Sequence, residues 1–357
     1  MSAPVKFDET RRGLWNRLFE PPAIGRMAPL TRIIVYSLLA FWTMFVLFPL
    51  YWVVITSFKL PQHVNEGPVY LPFIDFSPSL HAWITLFVTD AGDTLRSYTN
   101  SLVIGIGATL LCMTIGSMAA YALARIQYKP KLGLILIFIA LLIAVTLVTG
   151  IMGVPWYFTA AAGLAVFFLL VRALGKWFTA TLGNGDILFW IISQRILPPI
   201  VVIIPIYMMF QSVGLVDTHI GLILAYTVGN LPIVVWLMYD FFSSLPIELE
   251  ESAQLDGATR FGIFWDIVLP LTKPGLAATT LLVLILNWNE YLMAVFLSTS
   301  RAQTMPIMVA AKNAGEKGIF WWEMCAIIVI MIVPVIVMAI ILQRFIAKGV
   351  LLGAVKG

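Results

Sequence analysis

Charge is scarce in this 357-residue chain: Asp, Glu, Lys and Arg together make up 11% of it, where an ordinary globular domain carries about 25%. Too few charged groups remain to clothe soluble domains of that combined length, so a soluble enzyme and a disordered scaffold are both excluded. Cysteine is nearly absent. Cys112 and Cys325 both lie inside apolar runs, where a thiol behaves as a small hydrophobe, which excludes a disulfide-stapled module. His63, His81 and His219 fall in loops or helix ends without ligand spacing, so no metal site is expected. The same three leave no Ser/His/Asp constellation within the apolar runs, and no intramembrane enzyme is expected. No phosphate-cradling G-x-x-x-x-G-K-[ST] loop occurs, and Gly315–Glu316–Lys317–Gly318 is too short to be one.

What is present is apolar. Hydrophobic residues make up 61% of the chain, and the mean hydropathy is +0.95. A helix crossing a bilayer needs about 20 mostly apolar residues. Eight runs qualify: Ile33–Ile55, Leu102–Leu123, Leu132–Met152, Val154–Val171, Ile187–Phe210, Gly221–Phe242, Gly275–Leu297 and Met324–Phe345. The first is too long for a signal-peptide core and lacks a small-residue cleavage site, so it reads as a retained anchor. The third and fourth meet at Gly150–Pro155 and read as a hairpin of two short spans.

The net charge of +4 and pI near 9.0 fit membrane anchoring more simply than nucleic-acid binding. With the N-terminus placed in the cytoplasm, the outer segments keep only Lys59, Arg96, Arg301, Lys312 and Lys317 of the 22 basic residues. Arg195 lies within a span, and the rest face inward. The positive-inside rule therefore places both termini in the cytoplasm.

One inner segment breaks that rule. Residues 243–270 hold Glu248, Glu250, Glu251, Asp256 and Asp266 against a single Arg260. Ser244 or Leu245 is expected to cap a helix with Pro246 at or near its first position. The glutamates then sit where the helix dipole favours negative charge. Gly257 is expected to end that helix in a left-handed turn. A second helix follows, with Phe261, Phe264, Trp265 and Val268 forming an apolar stripe at helical spacing. Two readings fit: an amphipathic hairpin resting on the inner leaflet, or a docking element for a cytoplasmic protein. The anionic inner leaflet repels carboxylates, which disfavours the first.

Four stretches carry a resemblance. Glu251–Ser252–Ala253, Asp256–Gly257–Ala258 and Ile267–Leu271 are similar to the "EAA" loop of ABC-importer permeases. The fuller stretch Pro246–Pro274 resembles the carbohydrate, maltose-permease-like branch. Ala120–Arg125 resembles the "YALAR" ending of a span in that family, Arg195–Pro199 a mid-span motif, and Gly349–Gly357 its terminal signature. The resemblance covers about residue 45 to the end. Ser252 stands where the motif has Ala, a small-for-small change.

The resemblance implies an all-α integral membrane protein with a six-helix permease core. About eight transmembrane helices result, because the family has six spans and residues 131–186 here add an inserted hairpin. The implied divisions are a cytoplasmic N-terminal segment 1–32, two core spans 33–130, the hairpin 131–186, the remaining core spans 187–345 with the coupling loop 243–270, and a cytoplasmic tail 346–357. It also implies a non-catalytic subunit of the inner membrane forming half of a translocation pathway, without a cofactor of its own. ATP and Mg would be bound by two copies of a cytoplasmic ATPase. Its other partners would be a second related permease, an extracytoplasmic solute-binding protein and a sugar or polyol.

Carried onto this chain, the coupling residues are Glu250, Glu251, Ser252, Ala253, Asp256, Gly257 and Ala258, with Gly353 and Lys356 of the tail. The outer loop Ser298–Trp322 corresponds to one that probes the binding protein's ligand cleft. Candidate pathway residues are Tyr226, Asn230, Asn287, Asn289, Glu290 and Tyr291. An ionisable group such as Glu290 within a span points to function; an interhelical hydrogen-bond knot of Glu290 with Asn289 fits equally. Arg195 is expected to snorkel or to meet a carbonyl, and Pro198, Pro199 and Pro205 to break the fifth span. The competing class is a stand-alone secondary transporter or channel. It would need inverted repeats and paired intramembrane charges, and no second half echoes the first.

Overall fold

The structure, a computed structural model, describes residues 18–19, 27–65, 67, 69–313 and 318–353. The fold is all-α. Among the described residues the only β pairing is two isolated bridges, Pro72 with Phe76 and Lys131 with Thr181. Two compact units divide the chain: residues 1–91 with 309–332, and residues 92–308 with 333–357.

In the first unit, α1 (Pro29–Thr56) leaves its entire apolar window open, with none of it buried, as a lone spanning helix does. After it, Tyr51 donates to the Tyr70 carbonyl at 2.7 Å, and Asp75 accepts from the Tyr70 and Leu71 amides. Lys312 bridges two carboxylates, Asp90 at 3.1 Å and Glu323 at 2.6 Å. Its burial opposes the charge, but the two carboxylates outweigh that and hold the ammonium above the ordinary lysine range.

The second unit is built around two helices, α2 (Ala91–Arg125) and α7 (His219–Ser243). Their apolar windows are 44% and 50% buried. In lipid no hydrophobic force draws helices together, so close packing at small residues must do so. Gly116 of α2 meets Val234 of α7 so closely that an added Cβ would sit 2.5 Å from the valine Cγ1. One apolar cluster joins Cys112, Met113 and Ala120 to Val234, Met238 and Phe242. A second joins Ile104 and Ala108 to Leu222, Ala225 and Tyr226.

All eight predicted spans have helical counterparts, six as single helices and two as bent pairs. The predicted hairpin is α3 (Leu132–Met152) and α4 (Trp156–Leu174), turned at Gly153, whose φ of 63° suits glycine. Thr149 meets Thr159 at 2.6 Å, and the Phe138 and Phe167 rings lie 5.4 Å apart, so the two run antiparallel. Their outer faces are open: 0% and 6% of their windows are buried.

The hairpin closes on itself at its base. Leu132 N–H donates to Ala180 O and Leu182 N–H to Pro130 O, both at 2.9 Å. Just outside this neck, Asn184 donates to the Leu123 and Ile126 carbonyls at 2.6 and 2.7 Å and accepts from Tyr128 N–H at 2.8 Å. The end of α2 is thereby tied directly to the start of α5 (Asn184–Ser193).

The fifth span bends by 90° between residues 184–196 and α6 (Pro199–Ser212). Pro198 and Pro199 break it as predicted, whereas Pro205 sits inside α6. The seventh run differs most from its expected continuous form. Helix α10 (Lys273–Trp288) stops, and α11 (Leu292–Leu297) restarts three residues later. Polar side chains compete for the backbone there: Asn289 donates to Ile285 O at 2.8 Å, and the Glu290 carboxylate accepts from Met293 N–H at 3.0 Å. The last helix, α13 (Trp321–Gly353), follows α12 (Met305–Ala311).

Candidate functional site

The acidic segment forms the predicted helix, glycine bend and helix, with changes at both ends. Helix α8 runs Glu248–Leu255, beginning two residues after Pro246. Ser244 is spent on closing α7, its N–H donating to Asp240 O and its hydroxyl to Phe241 O. Gly257 has φ +86°, the left-handed turn expected of it. Thr259 caps α9 (Arg260–Ile263) by accepting from Gly262 N–H at 3.1 Å. A wider π turn then spans Phe264–Val268. That turn shifts the register, so the expected single stripe splits. Ile263, Phe264 and Val268 are buried, whereas Phe261 and Trp265 stack in the open with centroids 6.1 Å apart.

One glutamate of this segment turns inward. Glu250 is 4% exposed. Its carboxylate accepts from Arg125 Nε at 2.6 Å and from the Tyr121 hydroxyl at 2.6 Å. Arg125 also reaches Leu245 O at 3.2 Å. Tyr121 and Arg125 stand one turn apart at the end of α2, a spacing that puts both side chains on one face. The rings of Tyr121, Phe242 and Phe264 enclose the group, with Tyr121 and Phe264 4.9 Å apart. A buried carboxylate needs this pairing, because an unpaired charge away from water is costly. The rest of the segment faces out: Glu251, Ser252, Asp256, Gly257 and Ala258 are exposed and Ala253 is half-buried. Leu255 is 90% exposed. Gly353 lies at the end of α13, and Lys356 lies outside the described residues.

The candidate pathway residues separate into two groups. Asn230 donates to Asn287 Oδ1 at 2.7 Å, and Asn287 donates to Thr109 Oγ1 at 3.0 Å, all three being buried. This knot joins α2, α7 and α10. Tyr226 is buried, and its hydroxyl donates to Glu290 O at 3.3 Å. Asn289, Glu290 and Tyr291 stand at the break between α10 and α11, with Tyr291 exposed and Glu290 half-buried. Arg195 meets a carbonyl as expected, donating to Gly229 O at 3.0 Å. Among the described residues no cluster of His, Cys, Asp or Glu could hold a metal.

Sequence reasoning missed Asp217, at the opposite end of α7 from Glu250. Its carboxylate accepts from the Thr299, Arg301 and Ala302 amides, each at 3.0 Å, and from Ser300 N–H at 3.2 Å. The Thr299 hydroxyl donates to it as well, at 2.9 Å. Partial burial works against this charge, yet the amides and hydroxyl outweigh it and hold the carboxyl well below the usual range. The sequence signal was slight: an acidic residue just before the Thr218 cap of a span.

Residues 185–352 match the family described as the binding-protein-dependent transport system inner membrane component. The trehalose/maltose transport system permease protein MalG of Thermococcus litoralis is 28% identical over 314 residues, covering 87% of this chain and 92% of the relative. A putative ABC transporter permease protein of Streptomyces antibioticus is 33% identical over 168 residues, 47% of this chain and 73% of the relative. Among solved structures, a bacterial ABC transporter involved in import of the acidic polysaccharide alginate shares the fold. Its TM-score is 0.57 at 22% identity, covering 88% of this chain and 96% of the other.

Proposed function

The chain belongs to the binding-protein-dependent inner-membrane permeases of ABC transporters, and from that premise we propose that it forms half of an ATP-driven import pathway for a sugar or related polyhydroxylated solute. A second permease supplies the other half, two copies of an ATPase supply the energy, and an extracytoplasmic binding protein delivers the solute. The sugar reading is supported by the name of the Thermococcus relative and by the maltose-permease-like stretch Pro246–Pro274. The bias of basic residues supports cytoplasmic termini, which puts α8 and α9 on the ATPase side and the Asp217 loop outside.

The observation that carries this reading is the single inward glutamate of an otherwise outward segment. Glu250 fastens α8 to the end of α2, so a push on the exposed Glu251, Ser252, Leu255 and Gly257 is passed to a core helix rather than absorbed by a loose loop. Rigid-body rocking of helices is the kind of change such a lever drives. Gly353 and Lys356 are assigned to the same ATPase contact. Along the pathway, Asn289, Glu290 and Tyr291 at the helix break present polar groups to solute, with Tyr226, Asn230 and Asn287 holding the helices behind them.

Purification tests the reading. Detergent-solubilised protein is expected to bring down an ATPase and a second permease, and the complex to accumulate solute in proteoliposomes only with ATP and binding protein. Transport by this chain alone without ATP would establish the secondary-transporter alternative.

A further inference from the structure

Helix α11 ends at Leu297, whose carbonyl accepts from Asp217 N–H at 2.8 Å. The next residues do not close their own turn. Four successive amides, Thr299 to Ala302, point instead into the carboxylate of Asp217. Successive amides converging this way form an anion nest, and here the anion comes from a residue more than eighty positions earlier. Asp217 has φ 58°, a left-handed conformation that Asp and Asn tolerate better than other side chains.

The carbonyl side of the bend is held separately. Asn100 donates to Arg301 O at 2.8 Å and Gln303 O at 2.9 Å, and its own oxygen lies 2.7 Å from His219 Nε2. Ser101 Oγ accepts from Met305 N–H at 2.8 Å. Yet Thr299, Ser300 and Arg301 are exposed. Both edges of a short bend are thus fixed from beneath while its outer side chains remain open, an arrangement that lowers the ordering cost of binding.

We propose that Asp217 is a positioning residue that holds the Thr299–Ala302 bend in the shape met by the extracytoplasmic binding protein. The proposal rests on the importer reading above. It concerns recognition of the delivery partner and leaves ATP coupling to α8.

The test is the complex in proteoliposomes, with ATP hydrolysis measured against increasing solute-loaded binding protein. Asp217→Asn keeps the left-handed backbone accessible but offers one acceptor oxygen and an NH₂ that opposes the amides. Half-maximal stimulation is expected to need about tenfold more binding protein, with the saturated and basal rates near those of the wild type. Amide hydrogen exchange over 299–302 should also quicken. Unchanged half-saturation overturns the proposal, as does a lower saturated rate at unchanged half-saturation, which is the mark of fewer intact complexes. If Asp217→Asn does not accumulate, Thr299→Val removes one bond to the same carboxylate and carries the same readouts with a smaller shift. A wild-type complex that binding protein fails to stimulate defeats the importer reading itself. Stimulated wild type with an unaltered Asp217→Asn titration defeats only the role of Asp217.

Discussion

The guanidinium of Arg125 and the carboxylate of Glu250 meet at 2.6 Å, both largely buried, although 125 residues separate them. Removing one partner of such a pair leaves an uncompensated buried charge, which costs about 3–5 kcal/mol, whereas replacing both by apolar side chains of similar volume is often neutral. Glu250→Ala and Arg125→Ala should each lower the unfolding temperature of the purified complex. Arg125→Met combined with Glu250→Leu should recover most of that loss. If the fastening transmits force, the double variant stays stable but uncouples ATP hydrolysis from uptake. Full coupling in it would show that packing alone suffices.

Gly257→Pro should abolish ATP-coupled uptake while membrane insertion and expression persist. Proline fixes φ near −65°, which is incompatible with the +86° found there. Uptake at the wild-type rate by this variant would remove the bend from the coupling mechanism.

Asn287→Ala takes away one partner of both Asn230 and Thr109. A buried polar group left unsatisfied costs about 1–3 kcal/mol, so thermal unfolding should move down by that order. The affinity for solute should change less than it does on Glu290→Gln or Tyr291→Ala, at the helix break. Equal losses of affinity would place the buried knot in the solute path.

Acid should release the 299–302 bend late. The folded-state carboxyl of Asp217 lies below its ordinary value. Its contribution is therefore complete above the unfolded-state value of about 3.9 and is lost as pH falls through the lower folded value. The difference in unfolding temperature between wild type and Asp217→Asn should hold from neutrality to about pH 5 and shrink only below about pH 4. A gap that closes near neutrality would contradict the nest.

Excising residues 132–180 and joining the ends with a short glycine–serine linker should leave a protein that inserts and assembles. The neck pairs Leu132 with Ala180 and Leu182 with Pro130, so the cut ends already lie side by side. Retained co-purification of ATPase and second permease checks this. Loss of assembly would give the hairpin a structural role in the complex.

Span number, the hairpin turn and the acidic segment's glycine bend were legible in the sequence because each rests on a local signal: length of an apolar run, or one residue type suited to one backbone conformation. What was not legible came from pairs distant in the chain. Glu250 looks like its neighbours Glu248 and Glu251 in sequence, and only the fold turns it toward Arg125. The stripe of Phe261, Phe264, Trp265 and Val268 was read at 3.6 residues per turn, and a π turn of five residues divided it. The knot expected of Glu290 with Asn289 fell instead to Asn230, Asn287 and Thr109, because those three face one another across α7, α10 and α2.

The neck beneath α3 and α4 has a topological consequence. A hairpin that leaves the chain and returns to it between paired residues adds two crossings and no net change of side. Every later segment keeps the sidedness it would have had without it. Such a module is silent in the parity of the chain, so it can be gained, lost or rewritten residue by residue while the segments after Asn184 remain unaware of it.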